Sequence, residues 1–380
     1  MIDRNLLGLF LIVATLTLGY GSVFALLAEI RTRFGFDDWA IGVIGGAGFV
    51  AGFAAQAFLS RFADRGYMRV LLGGGLGCAL LGLAGMIVAD QLWEFVAARG
   101  LLGLGSGCVS PAVRRIAVTR DPARAGQTLG VMGVFEIGGF LFGPVIASLL
   151  AQRWGLRAPF VAITVLLVAV APLALRAELP LGEATRERRI LRSLLARPAV
   201  RASLLSGIAF YLTLGVFEAN WAILLADRGA DQLFIGATLS LFSVPMLFIP
   251  PFGGRLAQRI GPLRVMLASI GTAIACMVAY GVVPQLALLA VVVALHSIAD
   301  AFTMPANQLA IARASPPDQV ASAQGLLGAV GLATAAATAT LSGWIYGGWG
   351  PTALYGSSAA VMCLLLAGAW SLGQELRRPV

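Results

Sequence analysis

Five ionisable side chains interrupt runs that are otherwise apolar: Arg99, Glu136, Glu218, His296 and Asp300. A charge surrounded by hydrocarbon is costly, so such residues face a protein interior or a water-filled cavity and mark ion or substrate paths. Burial disfavours the charged form of a carboxylate, which lets an acid in such a place take and release a proton, and a nearby arginine opposes that effect. Glu136 and Asp300 are therefore candidate proton carriers. His296 would tune Asp300, because the two are four residues apart and share a helix face. Thr303 and Asn307 continue the same polar stripe. Competition between a proton, Arg99 and a cationic substrate for one carboxylate would couple two fluxes. A plainer reading stands beside it, with His296–Asp300 a static helix pair and Glu136 neutralising Arg99. Glu218, nearer the end of its run, faces either substrate or water. The sequence contains no Walker loop, HExxH, GxSxG or nucleotide fingerprint, so neither ATP drive nor hydrolysis is supported and no enzyme is expected. One histidine and four cysteines (78, 108, 276 and 363), all within apolar runs, suggest free buried thiols and no metal site. No cofactor is expected.

The elements that must position these groups are membrane helices. The chain is 59% hydrophobic and 12% charged, with mean hydropathy +0.88. A soluble domain carries about 25% charged residues. A helix needs roughly 20 apolar residues to cross a bilayer, and the runs here are continuous rather than alternating, which selects helices over a barrel. Twelve spans are expected, at about 5–28, 38–59, 70–89, 92–112, 126–150, 158–176, 202–225, 233–252, 265–283, 286–309, 321–345 and 352–373. The first is long enough to be a span, and no small-x-small cleavage site marks it as a leader. Pro111, Pro144, Pro172, Pro245 and Pro305 fall in spans and mark kinks. Trp39, Trp93, Trp154, Trp344 and Trp349 fall near span ends, as interface anchors do.

The net charge is +9, and all 27 basic residues are arginine. With the N-terminus inside, 21 of them fall on the inner side and five on the outer, leaving Arg99 within a span. This is a topology signal and not a nucleic-acid footprint. Both termini are therefore expected in the cytoplasm. The polar break from Arg176 to Arg201 separates two halves of six spans: a bundle at 1–176, a basic linker at 177–201 and a bundle at 202–380. The halves repeat one another. Ile41-Gly42 recurs as Ile235-Gly236, Arg61-Phe62-Ala63-Asp64-Arg65 as Arg255-Leu256-Ala257-Gln258-Arg259, and Pro111-Ala112 as Pro305-Ala306, each displaced by 194 residues. An even number of spans per half makes the repeats parallel.

Six plus six spans, a basic central linker and a repeated basic loop after the second span resemble the major facilitator superfamily, over the whole chain. In that family the loop reads G-x-x-x-D-R-x-G-R-R. Here Asp64, Arg65 and Arg69 fit it, Ser60 replaces the first glycine, and the segment is one residue short. The second copy carries Gln258 and Arg259. The resemblance implies a cytoplasmic latch between the halves. Asp64 suits a helix N-terminus and an arginine partner, and losing that contact would favour another state. A plain positive-inside loop is the simpler alternative. Arg99-Gly100-Leu101-Leu102-Gly103-Leu104-Gly105 resembles the family's R-x-x-x-G-x-G motif. Arg99 lies about 10 Å from the outer span end, from which it could instead snorkel. Gly130, Gly139, Gly143-Pro144 and Ala147-Ser148 resemble G-x8-G-x3-G-P-x2-G-G, which in the family marks drug–proton antiporters of the exporter type. Physically this is a kinked helix with a small-residue groove.

The resemblance implies an all-α membrane fold of two pseudo-symmetric six-helix bundles, with spans one, four, seven and ten lining a cavity. Tyr20, Ser22, Arg99, Glu218, Asn220, Thr303 and Asn307 are the cavity candidates, and Arg99, Glu218, Asn220, Tyr20 and His296 could form one polar site. The expected function is proton-coupled export of small, largely apolar or cationic compounds by alternating access. A carrier of a defined metabolite, such as a sugar, amino acid or organic anion, is the first alternative, and a non-transporting receptor or lipid-handling protein the second. The expected partners are substrate, protons and lipid, without nucleic acid. The chain is expected as a monomer in a bacterial cytoplasmic membrane.

Overall fold

A backbone in hydrocarbon must pair its own N–H and C=O groups, and continuous apolar runs do so by coiling. A computed structural model of the protein describes residues 4–59, 67–120, 125–175, 190–316 and 319–378. It is helical throughout, with no strand among the described residues. The helices are α1 (Arg4–Phe34), α2 (Asp38–Ala54, continued by a π-helical turn Ala55–Leu59), α3 (Met68–Val88), α4 (Leu92–Arg120), α5 (Ala125–Trp154), α6 (Ala158–Val170) and α7 (Pro172–Leu175). They continue as α8 (Ile190–Leu195), α9 (Pro198–Asp227), α10 (Gln232–Phe248), α11 (Pro250–Ile260), α12 (Pro262–Val282), α13 (Leu286–Ala314) and α14 (Val320–Leu372).

Nine of the described helices are long and apolar enough to cross a membrane, and α10 with α11, bent by 54°, are together long and apolar enough to count as a tenth if they form one span. The bend falls at Pro250-Pro251, where two N–H donors are missing. The 53-residue α14 is two helices meeting at Gly350, whose φ of 79° closes one and opens the next at Pro351. The 13-residue α6 is apolar but short of a full crossing, so the twelve expected spans do not all stand as separate full-length helices among the described residues. Pro172 separates α6 from α7, whereas Pro111, Pro144, Pro245 and Pro305 stay inside their helices.

The chain divides into two compact units, Met1–Thr185 with Trp221–Ser240, and Arg186–Asn220 with Leu241–Val380. The stretch 221–240 joins the first unit through specific contacts. Gln232 Nε2 donates to Ala25 O at 2.7 Å and to Ser148 Oγ at 3.3 Å. A Cβ on Gly236 would come within 2.7 Å of Pro144 O, so only glycine lets α10 lie this close to α5. Arg31 binds Asp38 at 2.7 Å and also pairs with Asp227.

Glycine placement decides the packing of the first unit. On α4, Gly103 lies against the Gly48 carbonyl, Gly107 against Gly52, and Gly105 against Gly75, so one helix meets α2 and α3 at backbone distance. All four cysteines are free. Cys108 and Cys276 are buried as expected, but Cys363 is exposed, because its helix face looks outward.

Candidate functional site

In the first unit, Arg99 is fully buried in mid-helix. Its guanidinium carbon lies 3.7 Å from the centroid of the Tyr20 ring and 4.4 Å from that of Phe24, and Nη1 donates to Tyr20 O at 3.3 Å. Phe49 and Phe140 extend this aromatic wall behind Phe24. The ring faces supply the negative potential that a guanidinium needs away from water. Gly48 makes the room, since a Cβ there would sit 2.7 Å from Arg99 Nε. The arginine is caged and does not snorkel.

Glu136 is not the residue that neutralises Arg99. Its Oε2 accepts from Arg114 Nη2 at 2.7 Å, in a half-exposed pair. Arg114 is fifteen positions along α4 from Arg99, roughly 22 Å at 1.5 Å per residue, so one acid cannot serve both.

The small-residue groove on α5 receives α1. Gly139 lies on the Ala14 carbonyl and the Thr17 hydroxyl, and a Cβ on Gly143 would come within 2.5 Å of Leu18 O. Ser22 spans the seam, its Oγ donating to Leu18 O at 2.7 Å and Gly143 O at 3.1 Å. Pro144 packs on Gly21. Gly130 has open space where a Cβ would go, so it takes no part in this contact.

In the second unit, His296, Asp300, Thr303 and Asn307 form a buried stripe along α13. His296 Nδ1 is 3.0 Å from the Tyr280 hydroxyl of α12, and its Nε2 is 3.6 Å from Asp300 Oδ2. Thr303 Oγ1 donates to Ser269 Oγ at 2.7 Å. The Asn307 amide donates to Ser203 O at 2.9 Å and accepts from Gly207 N at 3.1 Å. On α9, Asn220 Nδ2 donates to Ser342 Oγ at 2.5 Å and to Val216 O at 3.1 Å. Glu218 is buried beside it, 5% exposed. Ser22, Asn220, Thr303 and Asn307 thus spend these bonds on joining helices. The five groups expected in one polar site fall into two sets, Arg99 and Tyr20 in the first unit, Glu218, Asn220 and His296 in the second.

Of the expected latch, Asp64 and Arg65 lie outside the described residues, and Arg69, Gln258 and Arg259 are exposed. Beside the second copy, the Arg377 carbonyl approaches Gly261, and Arg313 Nη1 donates to Arg378 O at 2.9 Å. Sequence reasoning missed Tyr280, Phe24 and Gln232. An aromatic in an apolar span carries no mark of its own, and only the spacing of Tyr280 from a neighbouring-span histidine could have pointed to it.

The chain matches the family model of the Major Facilitator Superfamily over residues 9–219 and again over 203–379. The multidrug resistance protein MdtG of Dickeya zeae (strain Ech586) is 28% identical over 308 residues, covering 77% of this chain and 74% of that protein. MdtG of Citrobacter koseri is 30% identical over 271 residues, covering 67% and 65%. Among solved structures, the nucleoside transporter NupG superposes with a TM-score of 0.77 at 14% identity, over 98% of this chain and all of that one. A bacterial homologue of the human lysosomal transporter Spinster, inward-facing and occupied, gives 0.79 at 16%, over 98% and 96%. These two likenesses speak for the fold. The helical architecture, the glycine seams and a family match that recurs in each half lead to one assignment: the chain belongs to the major facilitator superfamily.

Proposed function

We propose that the protein is a secondary active transporter that exports small, largely apolar or cationic compounds in exchange for protons, by alternating access. The observation that carries the substrate class is the likeness to MdtG multidrug resistance proteins over about three quarters of the chain. The glycine seam between α1 and α5, at the positions of the exporter motif, supports the same reading.

We assign proton coupling to Asp300. It is 2% exposed, and its Oδ2 has only the long His296 contact, so it is free to gain a proton. Glu136 is the weaker candidate, because its Oε2 is already taken up by Arg114 at 2.7 Å in a pair open to the outside. Tyr20, Arg99 and Glu218 are the groups we assign to substrate. Two bundles, 1–176 and 202–380, joined by the basic linker 177–201, would rock about them. Asp64, Arg65, Arg69, Gln258 and Arg259 would latch the cytoplasmic side. Both termini lie inside in this scheme, and the protein works as a monomer in a bacterial inner membrane, with no catalytic chemistry of its own.

The test is transport by purified protein in liposomes enclosing a pH-sensitive dye. A lipophilic cation such as tetraphenylphosphonium should drive proton movement in the opposite sense, and Asp300→Asn should abolish that movement. Proton-independent transport of an anionic or sugar-like compound would instead favour the metabolite carrier.

A further inference from the structure

The His296 ring is fixed from three sides. Tyr280 holds Nδ1 at 3.0 Å. Phe217 and Phe242 meet the imidazole edge to face, at centroid distances of 6.3 and 5.7 Å and 86° between planes. Tyr280 is itself clamped, fully buried and T-shaped against Tyr355 at 5.5 Å. The fourth side of the imidazole is its Nε2 edge, and there stands Asp300 Oδ2 at 3.6 Å, beyond hydrogen-bond range. The titratable groups that α12 and α14 turn toward this pair are Tyr280, Cys276 and Tyr355. From α9 and α10 come the two phenyl rings.

We propose that Tyr280 is a positioning residue for proton exchange at Asp300, acting through His296; this rests on the proton-coupled reading above. The Tyr280 hydroxyl donates to Nδ1, which places the single ring proton on Nε2, facing the carboxyl group. When Asp300 is charged, its carboxylate draws in the Nε2–H, a closure of about 0.7 Å to an ordinary N–H···O length. An arriving proton bonds to a carboxylate oxygen and leaves a neutral acid. The charge that attracted Nε2–H is then gone, and the pair relaxes to the observed separation. Release of the proton reverses the sequence. No proton leaves His296 or Tyr280 at any point. Together they set how firmly Asp300 holds its proton and do not carry it.

Wild-type protein and the variants Tyr280→Phe, His296→Gln, Asp300→Asn and the Tyr280→Phe/His296→Gln double would be reconstituted with a pH-sensitive dye inside the vesicles. Tetraphenylphosphonium-driven proton release is then followed as a function of pH. Tyr280→Phe keeps the ring packing and removes only the hydroxyl. It should move the midpoint of the profile by about one pH unit to the alkaline side, a tenfold change in proton affinity. The half-saturating concentration should stay within about twofold of wild type. His296→Gln should shift the profile as well, and the double variant should match His296→Gln alone, because Tyr280 acts only through the ring. Monodisperse elution and a wild-type thermal unfolding midpoint establish that each variant is folded. A Tyr280→Phe profile that overlays wild type, or a double variant shifted by the sum of the singles, overturns the proposal. Proton coupling that survives Asp300→Asn also overturns it, while leaving antiport intact. Wild-type transport without protons overturns the antiport reading itself, and this inference with it.

Discussion

Gly48 and Arg99 show how a single missing methyl group licenses a buried charge. The guanidinium occupies the volume a side chain at position 48 would need. Gly48→Ala should therefore cost about 1–3 kcal/mol through overpacking, seen as earlier thermal unfolding in detergent, and should push Arg99 off the Tyr20 face. Transport should fall with it. If Gly48→Ala unfolds and transports like wild type, the cage is not tight. At this scale the sequence exposed Arg99, His296 and Asp300, because ionisable residues in apolar runs stand out by cost alone. It could not tell that Glu136 would reach Arg114, since which acid meets which base depends on how far α5 slides along α4. Nor could it tell that Thr303 and Asn307 would close bonds to Ser269, Ser203 and Gly207. A polar stripe reads the same whether it lines a cavity or stitches helices.

Among the elements, the seam of α1 and α5 is the clearest case of pattern becoming contact. The motif spacing put glycines on one face of α5, and that face is where α1 lies. The pattern overreached at Gly130, which faces open space. This contrast supplies a matched test. Gly139→Val should disrupt the seam and lower the yield of folded protein several-fold, with a loss of a few kcal/mol typical of a backbone clash. Gly130→Ala, on the same helix, should change stability by about 0.5 kcal/mol or less. Equal effects from both, measured by thermal unfolding, would remove the seam as the explanation. Nine of the spans were legible from hydropathy as long apolar helices. The breaks were not: two adjacent prolines stand at a 54° bend between α10 and α11, and a single Gly350 with φ of 79° folds one long apolar stretch into two.

For the whole molecule, the sequence boundary follows the polar linker, whereas contacts draw residues 221–240 into the first unit. Arg31 anchors that attachment by pairing with both Asp38 and Asp227. The sequence counts Arg31 merely as an outer-side exception to the charge bias, because its partner in α9 is 196 positions away. Exposed ion pairs contribute under about 1 kcal/mol, so the bond serves to hold a geometry more than to stabilise the fold. Arg31→Asp should impair transport while leaving the unfolding temperature nearly unchanged. Adding Asp227→Arg should restore a good part of it, as only a direct pair allows. Failure of the swap to rescue, with both proteins folded, would show that the pair is incidental.

The seam of α1 and α5 also constrains how the chain comes to be. Ser22 and its Gly143 partner are 121 residues apart, so α1 leaves the biosynthetic machinery with its matching surface not yet made. Three intervening spans must enter the bilayer before α5 arrives. Until then the α5-facing side of α1 meets lipid or provisional neighbours, and the Ser22 hydroxyl rests on Leu18 O of its own helix. Helix association in lipid depends on such close fits more than on a hydrophobic drive. This seam therefore closes late, when α5 docks, and the later-made α6 and residues 221–240 join the first unit after it. A ribosome stalled after α4 should yield a protease-sensitive intermediate, and one stalled after α5 a protected one.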